Sequence, residues 1–196
     1  MSPPPQSLRI TGGSLRGRRL EAPAGQRVRP TAERVREALF NRLAHGGFGA
    51  DGQSILLDAH VLDLCCGTGA LAFEALSRGA AHATLVDADP AVVRLARSNA
   101  DALGLTGAST FQPAKLPAGV PHGPFDIVFL DPPYADGLVE PILAAMAHAG
   151  TVCPGGLVSI ETGAKLALTA PAGFAVLLEQ RYGAAKLWLL QAEEAH

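Results

Sequence analysis

An apolar run, Phe125 to Leu130, breaks off into Asp131-Pro132-Pro133-Tyr134. Two consecutive prolines fix φ and remove two backbone donors, so a strand ladder has to stop there. Their carbonyls still accept hydrogen bonds, Asp131 adds a carboxylate and Tyr134 adds a flat ring. Such a corner can hold a planar amino group by its two N–H bonds while stacking on the ring that bears it. Taken alone, the same four residues also describe a rigid surface turn after a strand.

A second stretch with chemical character is Val61-Leu62-Asp63-Leu64-Cys65-Cys66-Gly67-Thr68-Gly69. Gly67 and Gly69 follow a strand-like run and precede a helical one, which lets backbone approach a ligand at the carboxyl edge of a sheet. Asp87 follows Gly69 by eighteen residues and ends the next apolar run, where an acid can accept from ribose hydroxyls. Together these features describe a site for a nucleoside-containing cofactor. Asp63 favours S-adenosylmethionine over a dinucleotide, because a carboxylate there can face an amino group and would repel a pyrophosphate.

Charge is distributed unevenly. Residues 1–42 hold nine arginines against Glu21, Glu33 and Glu37, a local charge of +6; the remainder has seven basic against fifteen acidic residues, a charge of −8. A basic N-terminal segment on an acidic body suggests an arm for a polyanion. Its charges are all arginine, the side chain suited to forked phosphate contacts and base stacking. Arg16, Arg18, Arg29 and Arg34 are the candidate contacts to such a polyanion. Composition excludes other classes. No apolar stretch approaches the ~20 residues of a membrane span. Three cysteines, two of them adjacent, do not make a disulfide framework and fit a thiol-reduced, cytoplasmic protein. Neither Cys-x-x-Cys nor a histidine pair offers a zinc site.

The elements that must position these residues follow from periodicity. Ser7–Thr11 and Ser14–Leu20 read as two short strands about Gly12-Gly13, a hairpin that puts Arg16 and Arg18 on one face. A helix capped by Thr31 carries Val35, Leu39 and Leu43 on its apolar stripe, leaving Arg34, Arg36 and Asn41 on polar faces. From residue 60, strands at 60–64, 83–86, 109–112, 125–130 and 157–160 alternate with helices at 70–78, 90–103 and 138–149. Runs 175–181 and 185–191 close the chain as a hairpin about Tyr182-Gly183-Ala184. The pattern is α/β: a mostly parallel sheet covered by helices, ending in an antiparallel hairpin.

The combination resembles class I S-adenosylmethionine-dependent methyltransferases and, more narrowly, the bacterial 16S ribosomal RNA guanine-N2 methyltransferase family. The resemblance runs through Arg9-Ile10-Thr11-Gly12-Gly13, Arg16-Gly17-Arg18, Arg29-Pro30-Thr31 and Arg34-Val35-Arg36-Glu37. It continues through Leu39-Phe40-Asn41, Leu62-Asp63 to Gly69, Glu74 to Gly79 and Asp131 to Tyr134. It implies a Rossmann-like, seven-stranded sheet with an N-terminal β-hairpin extension: residues 1–30 as tail and basic arm, 31–196 as methyltransferase domain. It implies Asp63, Cys65, Gly67 and Gly69 around the methionine part of S-adenosyl-L-methionine, with Asp87 on its ribose and Ala88 as a further cofactor-binding residue. Asp131, Pro132 and Tyr134 become catalytic residues that hold a guanine. The sequence departs from the family pattern at Gln112-Pro113-Ala114, where an acceptor for the adenine amino group is common. Proline offers none, so the Ala114 backbone takes that role.

The implied partner is 16S ribosomal RNA, either naked or within an assembling small subunit, met by a monomeric protein without a membrane or metal. Other readings stay open on the residues alone. A nicotinamide-dependent oxidoreductase would use the glycines and Asp87 but leave Asp131 to Tyr134 and the arginines without work. A catalytically inactive RNA-binding protein would not need Asp63, Gly67, Gly69 and Asp131. An adenine-N6 nucleic-acid methyltransferase uses a similar corner, whereas a protein-glutamine methyltransferase more usually has Asn in place of Asp131.

Overall fold

The structure, a computed structural model, describes residues 8–22, 30–49, 52–133 and 137–193. Tyr134, Arg27 and Arg29 lie outside the described residues. Seven strands form one sheet: β1 (His60–Leu64), β2 (His82–Asp87), β3 (Ser109–Pro113), β4 (Phe125–Leu130), β5 (Val152–Gly163), β6 (Phe174–Tyr182) and β7 (Ala185–Ala192). Their order is β3-β2-β1-β4-β5-β7-β6. The first five run parallel, and β7 enters antiparallel between β5 and β6. The C-terminal hairpin and the mostly parallel sheet are therefore as the sequence leads one to expect. β5 begins five residues earlier than its apolar core, because Val152 already pairs with Phe125 before a bulge resets the register.

Four helices cover the sheet: α1 (Pro30–His45), α2 (Ala70–Ser77), α3 (Pro90–Leu103) and α4 (Val139–Ala149). Side chains alternate across the strands, as the two-residue period requires. Val61, Leu85, Ile127 and Phe129 face α1, α2 and α3, whereas Leu62, Leu64, Val86, Val128 and Leu130 face α4. Helix α1 begins at Pro30, so Thr31 is inside it rather than its cap. Proline at a first helical position costs no hydrogen bond, since that N–H has no intrahelical partner. Helix α3 is capped by Asp89, which accepts from the Ala91 amide at 2.7 Å, and Pro90 stands at the first position.

The N-terminal extension folds back on itself with less pairing than two strands would give. Its ladder is one antiparallel bridge, Arg9 to Arg19, and residues 14–17 are turn rather than strand. The reason lies in α2. The Ser14 amide donates to the Ser77 carbonyl (2.7 Å), the Leu15 amide to Ser77 Oγ (2.9 Å), and Ser77 Oγ to the Gly12 carbonyl (2.6 Å). Backbone groups that a hairpin would pair across are used to dock the turn. Arg16 therefore does not share a strand face with Arg18, although both are exposed. Ile10 and Leu20 are buried in the same cluster as Phe40 and Phe73, so the extension is packed onto the sheet's helical face.

Candidate active site

The strand order reverses between β1 and β4, since α2 leads from β1 toward β2 on one side while β4 lies on the other. In open α/β sheets, ligands bind outside the carboxyl ends of the strands at such a reversal. The register pairs Leu64 with both Val86 and Leu130. The residues that follow these three partners are Cys65, Asp87 and Asp131. Three separate sequence features are thereby brought to one edge.

The loop after β1 is shaped by backbone conformation. Cys65 has φ 62° and Gly67 φ 54°. A non-glycine residue in the left-handed region costs about 1–2 kcal/mol, so the bend at Cys65 is held by its surroundings. The Cys66 amide donates to the Val86 carbonyl (3.0 Å) and the Gly67 amide to Asp87 Oδ2 (3.1 Å). Asp87 Oδ1 accepts from the Asp89 amide (3.1 Å), so its carboxylate fixes both its own turn and the neighbouring glycine loop. A Cβ on Gly67 would meet nothing within 4 Å, which leaves the loop open on its ligand-facing side. A Cβ on Gly69 would lie 2.3 Å from the Phe73 ring, so here glycine is required for α2 to pack against the strand.

Asp63 is 1% exposed, and its Oδ2 accepts from the Ala72 amide at 3.1 Å. Ala72 is in the first turn of α2, where backbone N–H groups lack helical partners and Gly69 provides no side-chain cap. The acid thus caps the helix from the neighbouring strand. Burial pushes its carboxyl well above the usual carboxylate range; the Ala72 bond opposes this, and the nearby Asp131 and Asp87 charges add to it. Burial likewise pushes the Cys66 thiol up, leaving it an inert packing group, and Cys65 is half-buried in the loop.

At the end of β4, Asp131 is exposed, Pro132 is buried and Pro133 is exposed. The carboxylate thus stands at the surface of the edge while the first proline anchors the corner. Ala88 is exposed beside Asp87. The Ala114 amide is already committed to the Asp87 carbonyl at 2.9 Å, so its carbonyl is the backbone group left for an adenine.

Asp87 and Asp131 are near enough to raise the proton affinity of the buried Asp63, and no basic side chain is among the groups acting on it. A ligand complementary to them carries positive charge. S-adenosylmethionine, with a sulfonium and an ammonium, fits that set and the open loop at Gly67; a pyrophosphate does not.

Sequence reasoning did not single out the polar groups behind this edge. Arg36, expected on a polar face, is 7% exposed; it donates to the Arg9 carbonyl (2.6 Å) and stands 3.8 Å from Glu74. Its charge is spent on Glu74, which is fully buried and also accepts from Arg78 Nε at 2.8 Å. Asn99 is 2% exposed on α3. A polar residue at a helical position whose period calls for an apolar one is the signal that was present for both Glu74 and Asn99, because such a group must be hydrogen-bonded when buried. Of the candidate RNA contacts described, Arg16, Arg18 and Arg34 are exposed; Arg18 also donates to the Ala102 carbonyl at 2.6 Å.

Fold and site together define an α/β methyltransferase that uses S-adenosylmethionine. The chain belongs to the family described as Conserved hypothetical protein 95, whose profile matches residues 8–191. It is 36% identical to ribosomal RNA small subunit methyltransferase D of Escherichia coli over 95% of this chain and 90% of that protein. The protein of the same description from Haemophilus influenzae is 31% identical over 94% and 93%. Among solved structures, yhhF of Escherichia coli, a protein assigned as a methyltransferase, superposes with a TM-score of 0.82 at 33% identity, covering 97% of this chain and 100% of that one.

Proposed function

We propose that this protein methylates the exocyclic N2 amine of a guanine in small-subunit ribosomal RNA, working in the cytoplasm as a monomer. The observation that carries the reading is the adjacency of Asp131-Pro132 to the Asp63–Gly69 loop, fixed by the pairing of Leu130 with Leu64. An amine clamp beside a methyl-donor loop is the minimum arrangement for N-methylation. The cofactor, when bound, supplies an electrophilic methyl group on a sulfonium.

An exocyclic amine of a base is a poor nucleophile, because its lone pair is delocalised into the ring. Asp131 and the Pro132 carbonyl accept its two N–H bonds and thereby orient the lone pair, an effect of positioning. The Asp131 carboxylate also stabilises positive charge developing on nitrogen, and its exposure gives the released proton a route to solvent. The sequence supplies Tyr134 as the ring on which the base stacks. The base must leave its helix or loop to enter. Asp63 and Asp87 hold the loop and face the cationic cofactor.

Arg16, Arg18 and Arg34, with Arg29 from the sequence, are the proposed phosphate contacts. The small-subunit rRNA methyltransferases to which the chain is similar support the substrate class. Mapping modified guanines in ribosomal RNA from cells with and without this protein tests the reading. One N2-methylguanine should vanish from the small-subunit RNA; an unchanged modification map would refute the assignment.

A further inference from the structure

Asn99 lies on α3, seventy-eight residues in sequence from the N-terminal arm and thirty-one from the glycine loop, and it touches both. Its Oδ1 accepts from the Glu21 amide at 2.8 Å, and its Nδ2 donates to the Glu21 carbonyl and to the Thr68 carbonyl, each at 3.0 Å. One buried amide therefore meets both backbone groups of an arm residue and one carbonyl of the cofactor loop. The flipped orientation would set an oxygen against two carbonyls and an NH2 group against an N–H, so the amide has one satisfied position. Three residues on along α3, the Ala102 carbonyl accepts from Arg18 of the same arm.

We propose that Asn99 is a positioning residue that couples RNA held by the arm to the cofactor loop, so that each ligand strengthens the binding of the other. The proposal rests on the reading of the arm as an RNA contact. A shift of the arm at Glu21 cannot leave Asn99 satisfied unless the amide follows, and the amide cannot follow without leaving Thr68. Thr68 lies between Gly67 and Gly69, whose left-handed backbone sets the shape of the ligand-facing loop. Asn99 makes the arm position and the loop shape one variable. Coupling of this kind is reciprocal by linkage.

The test is the affinity for S-adenosylhomocysteine, measured by calorimetry with and without saturating small-subunit particles from cells lacking the protein. Wild type, Asn99→Asp and Asn99→Ser are compared. Asn99→Asp keeps the acceptor for the Glu21 amide and removes both donors; Asn99→Ser removes the amide without burying a charge. In the wild type, RNA should tighten cofactor-product binding by about fivefold or more. In both variants the ratio should fall to within about twofold of one. A merely structural role would weaken the two affinities in each variant and leave their ratio at the wild-type value, and that result would overturn the proposal, as would a ratio of one in the wild type. The underlying reading has its own control: if Arg16→Ala and Arg18→Ala together leave RNA affinity and its salt dependence unchanged, the arm is not an RNA contact and the failure lies there.

Discussion

Thr11 and Glu74 are joined twice: the Thr11 amide donates to Oε2 and the Thr11 hydroxyl to Oε1 of the Glu74 carboxylate, both at 2.7 Å. Glu74 is in the middle of α2, four residues beyond the first, so the arm is bonded to the helix that the cofactor loop opens. With Arg36 and Arg78 also on this carboxylate, the charge is fully partnered in a dry setting.

Removing the hydroxyl of this pair should cost stability before it costs chemistry. Thr11→Val deletes two charge-assisted hydrogen bonds, the one donated to Glu74 Oε1 and a longer one accepted from Arg78 Nη2 at 3.3 Å, and should destabilise the fold by about 1.5–3 kcal/mol. Each kcal/mol corresponds to about 2–4 °C in a chain of this size, readable by thermal denaturation. Glu74→Ala should cost more, about 3–5 kcal/mol, because it strands the buried Arg36 without its counter-charge.

Asp131→Ala should keep cofactor binding and lose methyl transfer, with kcat falling on the order of 10²–10⁴-fold, as for loss of a positioned polar catalytic group. Calorimetry with S-adenosylhomocysteine and single-turnover methylation of small-subunit RNA give the two readouts. Full activity in this variant would remove Asp131 from the reaction.

Asp63 should make cofactor binding dependent on pH. Its folded-state pKa is raised, mainly by burial. The folded protein without cofactor therefore holds a proton that the unfolded chain gives up near pH 4. Stability without cofactor thus falls as pH rises above that value, until the folded-state carboxyl has itself ionised. A cationic ligand favours the carboxylate, so binding should release a proton and tighten over the same upward window. Calorimetry in buffers of different ionisation enthalpy reads the proton directly, and Asp63→Asn should abolish the release.

Arg16, Arg18 and Arg34 should each contribute to the salt dependence of RNA binding. Alanine at one of them should reduce the slope of log affinity against log salt by about 0.7–0.9 for each phosphate that is no longer neutralised. Slopes equal to wild type would identify these arginines as solvated surface charge.

Much of the sheet was legible because its strands are short apolar runs bounded by glycine, proline and acid. Phe125–Leu130 is found where its run stops at Asp131, and β2 ends at Asp87, within a residue of the apolar pattern. The placement of these residues at the carboxyl edge was legible for the same reason, since Asp87 ends β2, Asp131 follows β4, and Gly67 and Gly69 lie in the loop after β1. What the sequence hid was long-range polar pairing. Nothing local in Ser14 or Arg16 says that the turn prefers the Ser77 backbone to its own hairpin partner. Arg36 looked like a surface charge because its helical position is polar by type, while its burial depends on Glu74, thirty-eight residues away. Glu74 interrupts an apolar helix and Asn99 the buried stripe of an amphipathic one, and the identity of their partners is a property of the tertiary fold.

The distances along the chain between the arm and its anchors bear on how the protein is made. Thr11 is sixty-three residues from Glu74, and Glu21 seventy-eight from Asn99. During synthesis, the basic arm leaves the ribosome before α2 and α3, and its seat is complete only when both have followed it. Closing these long loops is a late and entropically costly step. The arginines of the arm therefore acquire their fixed arrangement only after the glycine loop has been laid down, so a nascent chain carries these charges before it carries their final shape.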